Sequence, residues 1–282
     1  AGTGNCAVGG IGNGAIQEGR DGHQGEAVAV ERPGRERQGR LVAAADRSRQ
    51  LCEAVARQSG ETCFLGFSRG KDSLATWLIL RETFKRIIPF HITAIPHISY
   101  IEASLAYYEN AFKTKIIRLW DGDVSWMIRK LVFQPAADED FIAHQCMWGW
   151  TRSEAVEILR KELGLPDAWC AYGLTAKDNI FRRIKLTQYQ GIRSEQKSFM
   201  PIWDWSREDV LALIDEAGLK LTPEYAWAPA SASGISSLWN QMAWNAEDWR
   251  KAEELFPFIR SRVVRNEYRI ERAFMPMRFS GR

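Results

Sequence analysis

The turn Ser68-Arg69-Gly70-Lys71-Asp72-Ser73 gathers two hydroxyls, a glycine, an ammonium and a carboxylate within six residues. Those groups suit the holding of anionic oxygens, above all phosphate. The hydroxyls of Ser68 and Ser73 can donate to oxygens and Lys71 can neutralise their charge. Gly70 lets the backbone approach without a Cβ in the way. Asp72 can hold Mg²⁺, directly or through water, or cap a helix. The apolar run Cys63–Phe67 precedes the turn, and Leu74, Trp77, Leu78 and Arg81 follow it at helical spacing. A strand–loop–helix frame of this kind points unpaired amides and about half a positive charge at a bound anion. A Walker A loop does not fit: three residues, not four, separate Gly66 from Gly70, and Asp72 follows the lysine where Ser or Thr is needed. The plainer alternative is a strand-to-helix turn with an Asp or Ser cap and a solvated lysine.

Other residues offer further chemistry. Lys177, Asp178, Arg182 and Arg183 follow a later apolar run, where two adjacent arginines either clamp a second anion or form a solvated basic stretch. His97 is either an acid–base group or an ordinary surface or core histidine. His144 and Cys146 have no partner pair, so a metal site is not expected there, and Cys146 reads as a buried thiol rather than a reactive one. The C-terminal arginines Arg260, Arg262, Arg265, Arg269, Arg272, Arg278 and Arg282 form either a solvated face or a contact for nucleic acid or a partner protein.

The elements that must position these groups alternate. A helix is expected from about Ala43 to Gly60, then strands at Cys63–Phe67, Ile87–Ile95, Lys115–Leu119 and Ala168–Leu174. Helices are expected after Ser73, over Ser99–Phe112 and Trp126–Phe133, and from a capping box at Thr151–Glu154 to Leu163. Such alternation predicts an α/β fold, a doubly wound and mostly parallel sheet, with ligands at the carboxyl ends of its strands. After Pro201 the pattern turns helical, over Ser206–Ala217, Ser237–Trp244 and Ala246–Val264. Trp203, Trp205 and the cap at Ser206 should pack that region on the sheet. The expected organisation is a tail over 1–42, a nucleotide-binding α/β domain over 43–200, and a helical region with a basic tail over 201–282.

Composition bounds these readings. The 282 residues are 45% hydrophobic and 26% charged, a globular profile. Half of the 22 glycines fall before about Arg40 among few large apolar residues, so that tail is expected to be disordered. A net charge of +3 does not by itself imply a nucleic-acid partner. No apolar stretch is long enough to span a membrane and no signal-like start is present, so a cytoplasmic location is expected. Five scattered cysteines without a C-x-x-C pair fit neither a disulfide framework nor an iron–sulfur or four-cysteine zinc site.

The form Ser-x-Gly-Lys-Asp-Ser after an apolar strand resembles the PP-loop of N-type ATP pyrophosphatases, which usually have glycine at the position of Arg69. Gly173-Leu174, Arg182-Arg183 and Phe199-Met200-Pro201-Ile202-Trp203-Asp204-Trp205-Ser206, with Asp209-Val210, follow in an order similar to the phosphoadenylyl-sulfate (PAPS) reductase family. The likeness spans about Leu51 to Tyr225 and is nearest to the phage and mobile-element members. It implies an adenine nucleotide α-hydrolase-like fold that binds ATP or PAPS with Mg²⁺ at Asp72. By this resemblance Ser68, Arg69, Gly70, Lys71, Asp72, Ser73, Thr93, Gly173 and Arg182 bind the nucleotide, Lys71, Asp72 and Arg183 serve catalysis, and the backbone from Thr93 to His97 lies near the adenosine. The chemistry implied is adenylyl transfer with pyrophosphate release, to a sulfur-related or nucleic-acid acceptor. Thiol-dependent PAPS reduction and a non-catalytic nucleotide-binding module are the alternatives. No cysteine follows Cys170, so the C-terminal cysteine motif of the reductases has no counterpart. The side chain of Arg69 points either at phosphate or into solvent.

Overall fold

The computed structural model describes residues 35–145, 149–222 and 245–261. Six strands form one sheet: β1 (Thr62–Gly66), β2 (Arg86–Thr93), β3 (Ile117–Trp120), β4 (Trp169–Tyr172), β5 (Ile192–Arg193) and β6 (Ser198–Phe199). Their order is β3-β2-β1-β4-β6-β5. All neighbours pair in parallel except β5 with β6. The short β5–β6 pair was not expected. The α/β class and the mostly parallel sheet are as the alternating pattern predicts.

Both faces of the sheet are covered because successive strand residues point opposite ways. Cys63 and Leu65 of β1 join one core cluster and Phe64 joins another, with Trp169 and Ala171 against Cys170 dividing β4 in the same way. The larger cluster takes α1 (Arg35–Ser59), α2 (Lys71–Leu80), α3 (Ser99–Phe112), α4 (Gly122–Arg129), α8 (Arg207–Glu216) and α9 (Ala246–Leu255). The smaller takes Val156 and Leu159 of α6 (Arg152–Glu162). Two further helices, α5 (Glu139–His144) and α7 (Ile180–Tyr189), were not foreseen.

An aromatic cluster anchors the elements beneath the phosphate-loop candidate. Trp77 of α2 stacks on Phe112 of α3 at 4.0 Å, and Phe67, the residue before Ser68, meets Trp77 and Tyr108 edge-on at 5.0 and 5.2 Å. Large buried rings of this kind dominate core energetics, so α2 and α3 are locked to the end of β1. Trp205 donates from Nε1 to Ser48 Oγ at 2.9 Å, tying the approach to α8 onto the helix α1. The capping box at Ser206 and Asp209 then opens α8.

Several boundaries differ. The first helix already begins at Arg35, inside the stretch expected to be disordered, while residues 1–34 lie outside the described residues. The α4 helix starts at Gly122 because the Asp121 side chain accepts from the Asp123 amide, and it gives way before Leu131 and Phe133, both at positive φ. The α9 helix ends at Leu255 instead of Val264, because Pro257 offers no amide and drives Phe256 out of the helical region. The helix expected over Ser237–Trp244 falls outside the described residues.

Candidate functional site

The loop Ser68–Ser73 leaves the carboxyl end of β1, the strand at which the sheet reverses its winding between β2 and β4. That is where a doubly wound sheet opens a crevice. The Phe67 amide still donates to the Phe90 carbonyl at 2.8 Å, so the strand is held to its last residue. Its carbonyl receives Nδ1 of buried His91 at 2.8 Å, and a carbonyl can only accept, so Nδ1 carries the proton. Burial, reinforced by the Arg69 charge, lowers the His91 pKa to about 4.

Within the loop, Ser68 Oγ donates to Ser73 Oγ at 3.2 Å and accepts from the Gly70 amide at 3.4 Å. Ser73 Oγ donates to the Gly70 carbonyl at 2.9 Å. Arg69 takes φ +66°, the left-handed region, whereas Gly70 lies at φ −76°. Glycine would be the natural occupant of position 69, not 70, in this loop. The Arg69 side chain does not turn into solvent: it is 3% exposed, with its guanidinium 5.7 Å from the centre of the Tyr100 ring.

The α2 helix opens without a side-chain cap. By contrast α4, α6, α7, α8 and α9 begin under Asp121, Thr151, Asn179, Ser206 and Asn245. The Ser99 amide of α3 is bound by both Asp248 oxygens, at 2.9 and 3.0 Å. The start of α2 thus keeps the positive helix-end charge that favours an anion. Lys71 Nζ lies 2.5 Å from Asp72 Oδ1, both half-buried. Burial raises the Asp72 pKa, against the lowering pull of Lys71.

The structure brings some of the expected residues together. Gly173 follows β4 and presses on this helix start: a Cβ there would come within 2.4 Å of the Asp72 carbonyl carbon and the Ser73 nitrogen. Asp178 and Arg182 are paired at 2.7 Å, and both bear electrostatically on the Asp72 carboxylate. Arg183 Nε instead reaches back to the Ala176 carbonyl at 3.5 Å. Thr93 stands at the end of β2, where its hydroxyl donates to the Ile95 carbonyl at 2.8 Å. His97 is exposed, and its carbonyl accepts Lys251 Nζ at 2.7 Å. A cavity of about 200 Å³ lined by Trp77, Arg81, Phe84, Lys85, Ile87 and Thr114 lies at the opposite, amino end of the strands, away from these groups.

Cys52, Cys63 and Cys170 are buried, and burial raises all three thiols, Cys170 to about 12, so none is poised as a nucleophile. Cys6, Cys146 and the arginines from Arg262 onward lie outside the described residues. Among the described residues no three His, Cys, Asp or Glu side chains gather as metal ligands, and no helix is long and apolar enough to cross a membrane. His91 and Tyr100 were missed in the sequence. The one signal for His91 is a lone imidazole in the apolar run Ile87–Ile95.

No family model and no curated protein matches the chain. Among solved structures it is similar to the U34-tRNA thiolase NcsA of Methanococcus maripaludis, at 14% identity over 78% of this chain and 79% of that one, with a TM-score of 0.45. The NH3-dependent NAD synthetase of Campylobacter jejuni is similar at 11% identity, 84% and 97% coverage and a TM-score of 0.44. The PAPS reductase of Candida auris is similar at 13% identity, 67% and 91% coverage and a TM-score of 0.41. Likenesses this distant decide nothing about chemistry, and the functional reading stands on the loop itself.

Proposed function

We propose that the chain binds ATP or a related adenine nucleotide with its phosphates on Ser68–Ser73, and transfers the adenylyl group to an acceptor with release of pyrophosphate. The observation that carries this reading is the start of α2, which has glycine and no side-chain cap at its N-terminus and is set at the winding reversal of the sheet. In the proposed step an acceptor oxygen attacks the α-phosphorus, the bond to the bridging oxygen breaks, and its electron pair leaves with pyrophosphate. The acceptor proton passes to solvent. The protein's share is electrostatic: the loop amides and Lys71 hold the departing charge, and Arg182 and Arg183 flank the acceptor side.

Lys71 is paired with Asp72, so an incoming phosphate competes with that carboxylate for the ammonium. Asp72 is the residue that would hold Mg²⁺, since one carboxylate with phosphate oxygens and water is an ordinary environment for that ion. Bound there, Mg²⁺ would neutralise phosphate charge. Thr93 and the backbone that follows β2 are proposed to meet the adenosine, and Gly173 to keep β4 close beneath the phosphates.

Lys71→Ala tests the reading. ATP affinity should fall roughly ten- to a hundredfold, the loss of one charge-assisted contact, with an unchanged circular dichroism spectrum. Unaltered affinity contradicts the role. Mass spectrometry of products from ATP or PAPS then separates the chemistries: adenylylated product with pyrophosphate supports this proposal, sulfite released with an added thiol supports PAPS reduction, and binding without turnover supports a binding module.

A further inference from the structure

The α7 helix exposes what most helices bury. Ile180, Phe181 and Ile184 are 63%, 76% and 62% exposed, and Leu186 is the buried residue of the helix. Three large apolar side chains within two turns at an open surface mark an interaction site more often than chance. The charge around them is one-sided: Lys177, Arg182, Arg183, Lys185 and Arg193 face a single acid, Asp178, across residues 177–193. Arg193 also lies over the ring of half-exposed Tyr189, 5.8 Å from its centre. The helix follows the carboxyl end of β4, the strand paired with β1 from whose carboxyl end the loop leaves.

We infer that this face of α7 docks a single-stranded nucleic acid and presents it to the neighbouring loop as the acceptor. The inference rests on the reading of that loop as a nucleotide site. A polyanion is favoured by the excess of cations, and flat unpaired bases give Phe181 and the isoleucines an apolar surface to cover. Single strands offer both features in every repeat. The alternative occupant, an acidic protein segment, would supply carboxylates without a stacking face for Phe181.

The test uses the full chain, a labelled mixed-sequence single-stranded oligonucleotide read by fluorescence anisotropy, and ATP binding on the same preparation. The parent chain should bind the oligonucleotide with an affinity that falls steeply with salt. Phe181→Ala should weaken it roughly tenfold, as expected for one lost stacking contact, with ATP affinity unchanged. Lys185→Glu should flatten the salt dependence by about one unit of slope or more. Equal affinity of Phe181→Ala and the parent overturns the inference, as does displacement by polyglutamate at matched charge, which would point to an acidic protein. A chain that binds ATP and no oligonucleotide also overturns it and leaves the loop reading standing. A chain that binds the oligonucleotide through Phe181 but not ATP overturns the loop reading, and with it the acceptor role of α7.

Discussion

The α2 and α7 helices are each ten residues long and follow neighbouring strands from the same, carboxyl end of the sheet, yet they are built in opposite senses. The body of α2 is buried through Ser73, Leu74, Ala75, Thr76, Trp77, Ile79 and Leu80, while its start has no side-chain cap. In α7 the start is closed by Asn179, whose side chain accepts from the Arg182 amide at 2.8 Å, while the body stands open. One helix therefore opens on a glycine above a rigid, buried body, and the other presents apolar side chains at its surface. On the proposed reading such a site would take a phosphate at the first helix and the second substrate at the other.

The contrast can be broken most sharply at Trp77. Trp77→Ala should cost about 3–5 kcal/mol of stability, measured by urea denaturation, because the indole is 1% exposed and stacked on Phe112. The equivalent truncation of Phe181 should stay within about 0.5 kcal/mol. Comparable costs at the two positions would mean that α7 is not the open helix described here.

Acid should act next, through the mount of α2. The His91 pKa is lowered to about 4 by burial first and by the Arg69 charge second. An unfolded histidine titrates near 6.5, so between the two values the unfolded chain binds a proton that the folded chain refuses. The contribution is complete above about pH 6.5, declines as pH falls, and is lost by about pH 4, a change of about 3 kcal/mol. Denaturation curves at several pH values for the parent and His91→Gln should differ by this slope. Parallel curves would place the acid sensitivity elsewhere.

Gly173→Ala should cost less stability than Trp77→Ala, about 1–3 kcal/mol, and yet reach the ligand. Its Cβ would meet backbone at Asp72 and Ser73, so the start of α2 must shift and ATP affinity should drop about tenfold, read by calorimetry. A binding defect here without one at Phe181→Ala would sharpen the division between the two helices.

Much of the α2 half was legible beforehand. The apolar run Cys63–Phe67, the turn and the spacing of Leu74, Trp77 and Leu78 agree with burial because every neighbour is part of the same sheet layer. Ser99–Phe112 was placed to the residue, since a helix with a continuous apolar face between Pro96 and a left-handed Lys113 has few alternatives. The α7 half was not. Ile180, Phe181 and Ile184 sit among arginines, and whether such residues are covered depends on which elements lie opposite, which local pattern does not encode. His91 and Arg69 were hidden for a related reason: their partners, Phe67 and Tyr100, meet them only after β1, β2 and α3 assemble.

The central claim is that the loop amides seat phosphate, and the most direct measurement is an ATP titration of ¹⁵N-labelled protein followed amide by amide. The account predicts that Gly70, Lys71, Asp72 and Ser73 shift first and furthest, with pyrophosphate alone moving the same four. Saturable binding that leaves those amides still while others move would contradict it.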